Sequence, residues 1–409
     1  MSMQARAWGI APGRLSPGET NTIMDVEGVG VGHVTFAEGR RQTGVTAVLP
    51  HQKNMFLEKV PAATHVINGF GKSTGLIQIQ ELGSLETPVI LSNTFSVGSA
   101  YQALVDTAIK QNPEIGRSTG TVNPAVFECN DGVLNDIHEY RATAPHVHRA
   151  IQQARQRAEQ QAQREAQQSA LQKARQNTQV QVEEPGKEGR EEGAVGAGRG
   201  MCCYGLKGGI GSSSRRFELK NRYASTDVSG TPFFTLGALV LTNFGSLKDL
   251  RIEGRPLGTE LYAYQEIRAS LEKSRPRIPE GEQGSVIVLL ATDAPLSPRQ
   301  LGRIARRASA GLNRTGSFIA GGSGEIVLVF STAYTISHFP TRTVVDRPCV
   351  HEDLLDRFFL AAVESVEEAV LNSLIAAERV EGRDGHVRCS LADYLPELGY
   401  SYSGHSFST

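Results

Sequence analysis

The sequence predicts an α+β fold in which sheets are stacked between layers of helix. Three observations carry that reading. Nearly unbroken apolar runs such as SVIVLLAT (285–292) and GEIVLVF (324–330) have the composition of strands buried on both faces. Long amphipathic stretches such as LLDRFFLAAVESVEEAVLNSLIAAERV (354–380) carry the helical period. Strands and helices also mix without strict βαβ alternation, which points to stacked sheets rather than to one doubly wound sheet.

The elements follow in order. VEGVGVGHVTF (26–36), TGVTAVLP (43–50) and TPVILSNTF (87–95) read as short strands with glycine turns, and AYQALVDTAIKQ (100–111) reads as a helix. Alanine then recurs every fourth residue from Ala150 to Ala174, among Gln, Arg, Glu and Lys. These are strong helix formers. A period of four exceeds 3.6, so the alanines spiral round the axis, and the segment is expected to be a solvated helix ending in a flexible tail, QVEEPGKEGREEG (181–193). Globular sequence resumes at AVGAGRG (194–200). FFTLGALVLTNFG (233–245) is a strand that ends in Asn-Phe-Gly, and SPRQLGRIARRASAGLNRTGS (297–317) reads as one amphipathic helix with Leu301, Ile304, Ala305, Ala308 and Leu312 on one face.

Composition limits the function classes. The chain has 409 residues, 39% hydrophobic and 21% charged, and a net charge of −1, which gives no general attraction to nucleic acid or anionic membrane. No run approaches the roughly 20 apolar residues of a membrane span. The start, MSMQARAWGIAPGRL, lacks a signal-type apolar core. Five cysteines, with no CxxC spacing, lead to the expectation of reduced thiols in the cytoplasm. The histidines are scattered without HExxH, so no metal and no cofactor are expected.

Several motifs fail on inspection. NGFGKSTG (68–75) would need a glycine where Val66 stands to make a phosphate loop. GVGVGHV has the wrong glycine spacing for a dinucleotide fingerprint. No G-x-S-x-G elbow marks a serine triad. What remains is Ser285, a hydroxyl residue after Gly284 at the first position of a buried strand. Ser323 and Glu325 are two residues apart at the head of another strand and so share a side. Asn243 closes a third with a side-chain amide. Nucleophile, Ser/Glu relay and amide donor are the parts that acyl transfer needs, although each residue also has an ordinary turn or strand-cap reading.

The segments TNTIMDVEGVGVGHVTF, NGFGKSTGLIQIQELG, TPVILSNTFSVG, ECNDGVLNDI, GLKGGIGSSSR, LVLTNFG, GSVIVLLATDAPLSPRQLGRIARR, RTGSFIAGGSGEIVLVFST and GRDG (382–385) span nearly the whole chain. In this order the sequence resembles the DmpA-like aminopeptidases: the L-aminopeptidase/D-esterases and β-peptidyl aminopeptidases of peptidase family S58. The resemblance implies an αββα four-layer sandwich like that of N-terminal-nucleophile hydrolases, spanning 1–409, with a helical or flexible insertion at about 145–193. It implies self-cleavage between Gly284 and Ser285 into chains 1–284 and 285–409, and an acyl-enzyme on Ser285 Oγ with the freed α-amine as base. Ser323 and Glu325 match the pair that holds and polarises this centre, Asn243 the oxyanion asparagine, and Glu128 the carboxylate that takes the substrate's free amino group. Asn130 stands where the family commonly has a tyrosine, which affects substrate preference more than chemistry. The implied substrates are small peptides, amides or esters with a free amino group, and the implied assembly is a homo-oligomer, a tetramer of processed heterodimers.

Overall fold

The computed structural model describes residues 4–175, 191–220, 232–271 and 284–403. The tail read at 181–193 therefore lies outside the described residues up to position 190. Two sheets face each other. The smaller is built from β1 (Gly30–Glu38), β2 (Arg41–Leu49), β4 (Val89–Asn93) and β5 (Ala125–Cys129), in the order β1-β2-β4-β5. The larger has β3 (Glu58–Gly69), β6 (Gly209–Glu218), β7 (Phe233–Asn243), β8 (Ser285–Thr292) and β9 (Gly324–Ser331), in the order β3-β9-β8-β7-β6, with Ile336–Ser337 and Ser84–Leu85 pairing along β3. β8 pairs antiparallel to β7 and parallel to β9.

The two-residue alternation of the strands sorts the apolar side chains into layers. Ile287, Leu289 and Ala291 of β8 meet Leu91 and Phe127 in the core between the sheets. Val286, Val288 and Leu290 point the other way, into a core with α3 (Pro298–Ala305), α4 (Ala308–Arg314) and α5 (Asp356–Ile375). The outer face of the small sheet is covered by α1 (Val97–Gln111) and α2 (Ala144–Arg175), through Leu104, Val147, Ala150, Ile151 and Ala154. The layers are thus helix, sheet, sheet, helix, the predicted sandwich. Both faces of β8 are apolar because both are buried.

Two local expectations are corrected. The helix expected over 297–317 is two short helices. At Arg307 the amide turns to Ile304 O, an i→i+3 bond that tightens the chain and ends α3. The five residues assigned to its apolar face are nonetheless all buried. The alanine-rich helix is not solvated along its whole length. Ala150 and Ala154 are fully buried and Ala158 nearly so, whereas Ala162 is exposed. The reason lies in β1. A Cβ on Gly32 would lie 2.1 Å from Ala150 O, and one on Gly30 would lie 2.3 Å from Ala154 O. Glycine on the strand and alanine on the helix let two backbones approach, a contact that helical periodicity alone does not reveal. The start of this segment is therefore part of the outer helical layer.

Gly32→Ala should accordingly cost about 1–3 kcal/mol by overpacking. Gly98→Ala, near the start of α1 where an added Cβ meets nothing within 4 Å, should leave stability unchanged or raise it by up to about 1 kcal/mol. Urea unfolding of the two variants checks the pair, and equal midpoints would contradict the close strand–helix contact.

Candidate active site

Strand register brings two of the sequence-predicted residues together. On the first rung of the central strands Asn243 lies opposite Ser285, and Ser285 beside Gly324. Ser285 is buried, at 8% exposure, and its Oγ accepts the Gly324 amide N–H at 3.3 Å. The same N–H lies 3.2 Å from Gly284 O, so one donor serves both the hydroxyl and the carbonyl of the Gly284–Ser285 bond. A Cβ on Gly284 would fall 1.7 Å from Asn243 O, so only glycine allows this peptide to lie against the end of β7.

Asn243 is fixed at both ends of its amide. Cys202 N–H donates to Oδ1 at 2.9 Å, and Nδ2 donates to Asn130 O at 2.9 Å. One Nδ2 hydrogen remains for another acceptor. Asn130 thus reaches the site with its main chain, while its Oδ1 accepts Gly132 N–H within its own turn. The preceding residue, Cys129, donates its thiol to Ser285 O at 3.4 Å, and burial holds that thiol well above its ordinary pKa.

Glu128 is nearly buried at the end of β5. Its Oε1 accepts Lys72 N–H at 2.8 Å and its Oε2 accepts the Thr94 hydroxyl. The NGFGKSTG segment therefore supplies a backbone donor to a carboxylate. Asn68, at the end of β3 where that segment begins, donates to Ala320 O at 3.3 Å, Gly321 O at 3.2 Å and Ser323 O. It holds the turn that carries Ser323. Ser323 Oγ is buried with no hydrogen-bond partner among the described residues. Glu325 is buried one rung into β9, opposite Val286. Alternation sets it in the row of Val327 and Val329, while Ser285 is in the row of Ile287, so the two side chains start from opposite faces of the sheet.

Sequence reasoning missed Asn68, Thr94, Cys202 and the Gly324 amide. Three of these act through backbone groups or pair with them, and backbone geometry leaves little trace in residue type. The late GRDG is more legible in hindsight: Arg383 Nε donates to Gly132 O at 2.6 Å and its N–H to Leu134 O at 2.8 Å, bracing the ECNDG loop. Asp131 braces the same loop from inside, accepting Thr43 Oγ1 at 2.6 Å and the amides of Asn93 and Asn135 at 3.2 Å.

A strand-end hydroxyl, a peptide sharing its donor, an anchored side-chain amide and a nearby buried carboxylate are thus gathered between two sheets flanked by helices. Residues 21–388 match the sequence profile of Peptidase family S58, and the chain belongs to that family. It is 33% identical over 396 residues to the beta-peptidyl aminopeptidase BapA of Sphingosinicella microcystinivorans, covering 94% of this chain and 88% of that protein. Among solved structures it is similar to the PH0078 protein of Pyrococcus horikoshii OT3, with a TM-score of 0.79, 41% identity and 97% of each chain covered. It is also similar to the L-aminopeptidase D-Ala-esterase/amidase of Ochrobactrum anthropi, with a TM-score of 0.75, 33% identity and 97% of each chain covered. That structure is described as a new variant among the Ntn hydrolase fold, and this chain shares its architecture. Among the described residues no helix is long and apolar enough to cross a membrane.

Three buried carboxyls carry a measurable pH signature. Burial raises the Asp131 carboxyl to about 7, against the opposing pull of its three hydrogen bonds, and likewise raises Glu192 to about 7 and Asp293 to about 6. An acid whose folded pKa exceeds its unfolded value stabilises the fold below the unfolded pKa and loses that contribution as pH rises through the folded one. Stability should therefore fall from about pH 4 to about pH 7 on account of these groups. Asp131→Asn should make the fall shallower by one carboxyl's share. Urea midpoints at about pH 4.5 and about pH 7.5 test it, and an undiminished fall in the variant would contradict the assignment.

Proposed function

We propose that this chain is a self-processing serine aminopeptidase, releasing N-terminal residues from short peptides, amides or esters through an acyl-enzyme on Ser285. The observation that carries the reading is the position of Ser285: buried, first in its strand, level with Asn243, and following a glycine whose carbonyl shares the Gly324 N–H with Ser285 Oγ. In the maturation step Oγ adds to the Gly284 carbonyl carbon. The carbon–nitrogen bond breaks as the Ser285 nitrogen takes a proton, leaving an ester. Water then hydrolyses the ester, giving a Gly284 carboxylate and a free Ser285 α-amine. That amine, with an ordinary pKa near 8, takes the Oγ proton when substrate is attacked. Asn243 Nδ2 donates to the developing oxyanion. Ser323 and Glu325, at the head of β9, hold and polarise the new terminus.

Mass spectrometry of the purified chain should give fragments 1–284 and 285–409. Ser285→Ala should give one full-length mass and no turnover. A chain that stays whole yet hydrolyses p-nitroanilides would overturn the amine-as-base step.

Glu128 takes the substrate's ammonium in this reading. Its carboxylate, already oriented by Lys72 N–H and Thr94, offers a charge-assisted hydrogen bond worth roughly 1.5–3 kcal/mol. Glu128→Gln should lower kcat/KM for free peptides about ten- to a hundred-fold. N-acetylated peptides should be poor substrates of both enzymes and indifferent to the change. Equal losses on both substrate types would move the amine site elsewhere, with Asn130 next to be tried.

A further inference from the structure

A buried ammonium stands behind the Asn243 amide. Cys202–Cys203 and Leu206–Lys207 form a small antiparallel hairpin against the end of β7. Lys207 has 0% exposure. Its Nζ donates to Gly198 O at 2.9 Å, Met201 O at 2.7 Å and Gly208 O at 2.7 Å. An ammonium has three N–H bonds, and here all three go to backbone carbonyls. Burial works against the charge, pushing its pKa down to about 7. A methionine of similar length would fill the space without that desolvation cost, so packing alone does not account for a lysine.

The geometry gives the charge a use. The Met201 carbonyl belongs to the same peptide unit as the Cys202 N–H, and that N–H donates to Asn243 Oδ1 at 2.9 Å. A trans peptide is planar, with its C=O and N–H pointing opposite ways, so clamping one end aims the other. A positive charge on the carbonyl also strengthens the N–H as a donor, and the bond it makes to Oδ1 strengthens Nδ2–H in turn, as in any chain of polarised hydrogen bonds.

We propose that Lys207 is a positioning residue for the oxyanion step, aiming and polarising the Asn243 side-chain amide through the Met201–Cys202 peptide. The proposal rests on the reading of Asn243 as oxyanion donor given above. Lys207 touches no reacting atom. Its effect belongs to the tetrahedral state and not to ground-state binding, which falls to Glu128.

The test uses the full chain, with rates expressed per cleaved molecule. Lys207→Met should lower kcat about ten-fold, a fraction of what loss of an oxyanion donor itself costs, and leave KM for an amino-acid p-nitroanilide within about two-fold. An amino boronic acid, which forms a tetrahedral adduct on serine, should bind about ten-fold more weakly, while a simple product amine should inhibit as before. In an Asn243→Ala background the Lys207 change should cost less than about two-fold more, because its route is already gone. Unchanged kcat, equal weakening of both inhibitors, or a full further loss in the Asn243→Ala background would each overturn the proposal. Should Lys207→Met fail to accumulate, Lys207→Gln with the same inhibitor pair decides it. Parental kcat in Asn243→Ala would overturn the oxyanion reading itself and this proposal with it. Failure of the Lys207 arm alone leaves Asn243 in its role.

Discussion

The register of the central strands is the constraint on which the rest of the site depends. β7, β8 and β9 must end level with one another for Asn243, Ser285 and Gly324 to share a rung. Both faces of β8 are apolar, so polarity along the strand resists a slip only weakly. Resistance comes from the ends. A one-residue shift would turn Ser285 toward the helical core and leave its hydroxyl buried without the Gly324 amide, at a cost of a few kcal/mol. It would also drive Gly284 off the one place where its missing side chain makes room for Asn243 O. The same residues that make the site attractive for chemistry therefore also fix the strands that hold it.

Around that rung, loops are held by buried polar groups more than by apolar contact. Asp131 gathers Thr43, Asn93 and Asn135 beneath the ECNDG turn. Asn68 gathers the carbonyls of the turn before β9. Lys207 gathers three carbonyls behind Cys202. Each is fully or largely satisfied, as buried polar groups must be if they are not to destabilise the fold. Asn68 reaches the turn that carries Ser323, and Lys207 reaches Asn243 through the Met201–Cys202 peptide. The strands set the level of Asn243, Ser285 and Gly324, and these clusters hold the loops around them.

Much of this was legible in the sequence. Strands buried on both faces read as unbroken apolar runs, and α5 read as a long amphipathic pattern, because burial and periodicity are properties of residue type. Ser285, Asn243, Ser323 and Glu325 stood out as polar residues at the ends of such runs. The first turns of α2 were misread because their packing partner is glycine, and a contact made by missing side chains has no hydrophobic signature. The loop donors were missed for a related reason. Lys72 and Gly324 contribute an N–H that every non-proline residue has, and only the fold says where it points. NGFGKSTG was weighed for phosphate on its local spacing, whereas its contacts with Glu128 and the Ser323 turn are long-range and leave no mark in that spacing.

The central claim is that Ser285, as a new amino terminus, carries the acyl group. The most direct measurement is peptide mapping by mass spectrometry after brief reaction with an activated ester of an amino acid bearing a free amine, quenched in acid. The account predicts the added acyl mass on a peptide that begins at Ser285. Acyl mass on another residue, or on a peptide that still runs unbroken through Gly284 and Ser285, would contradict it.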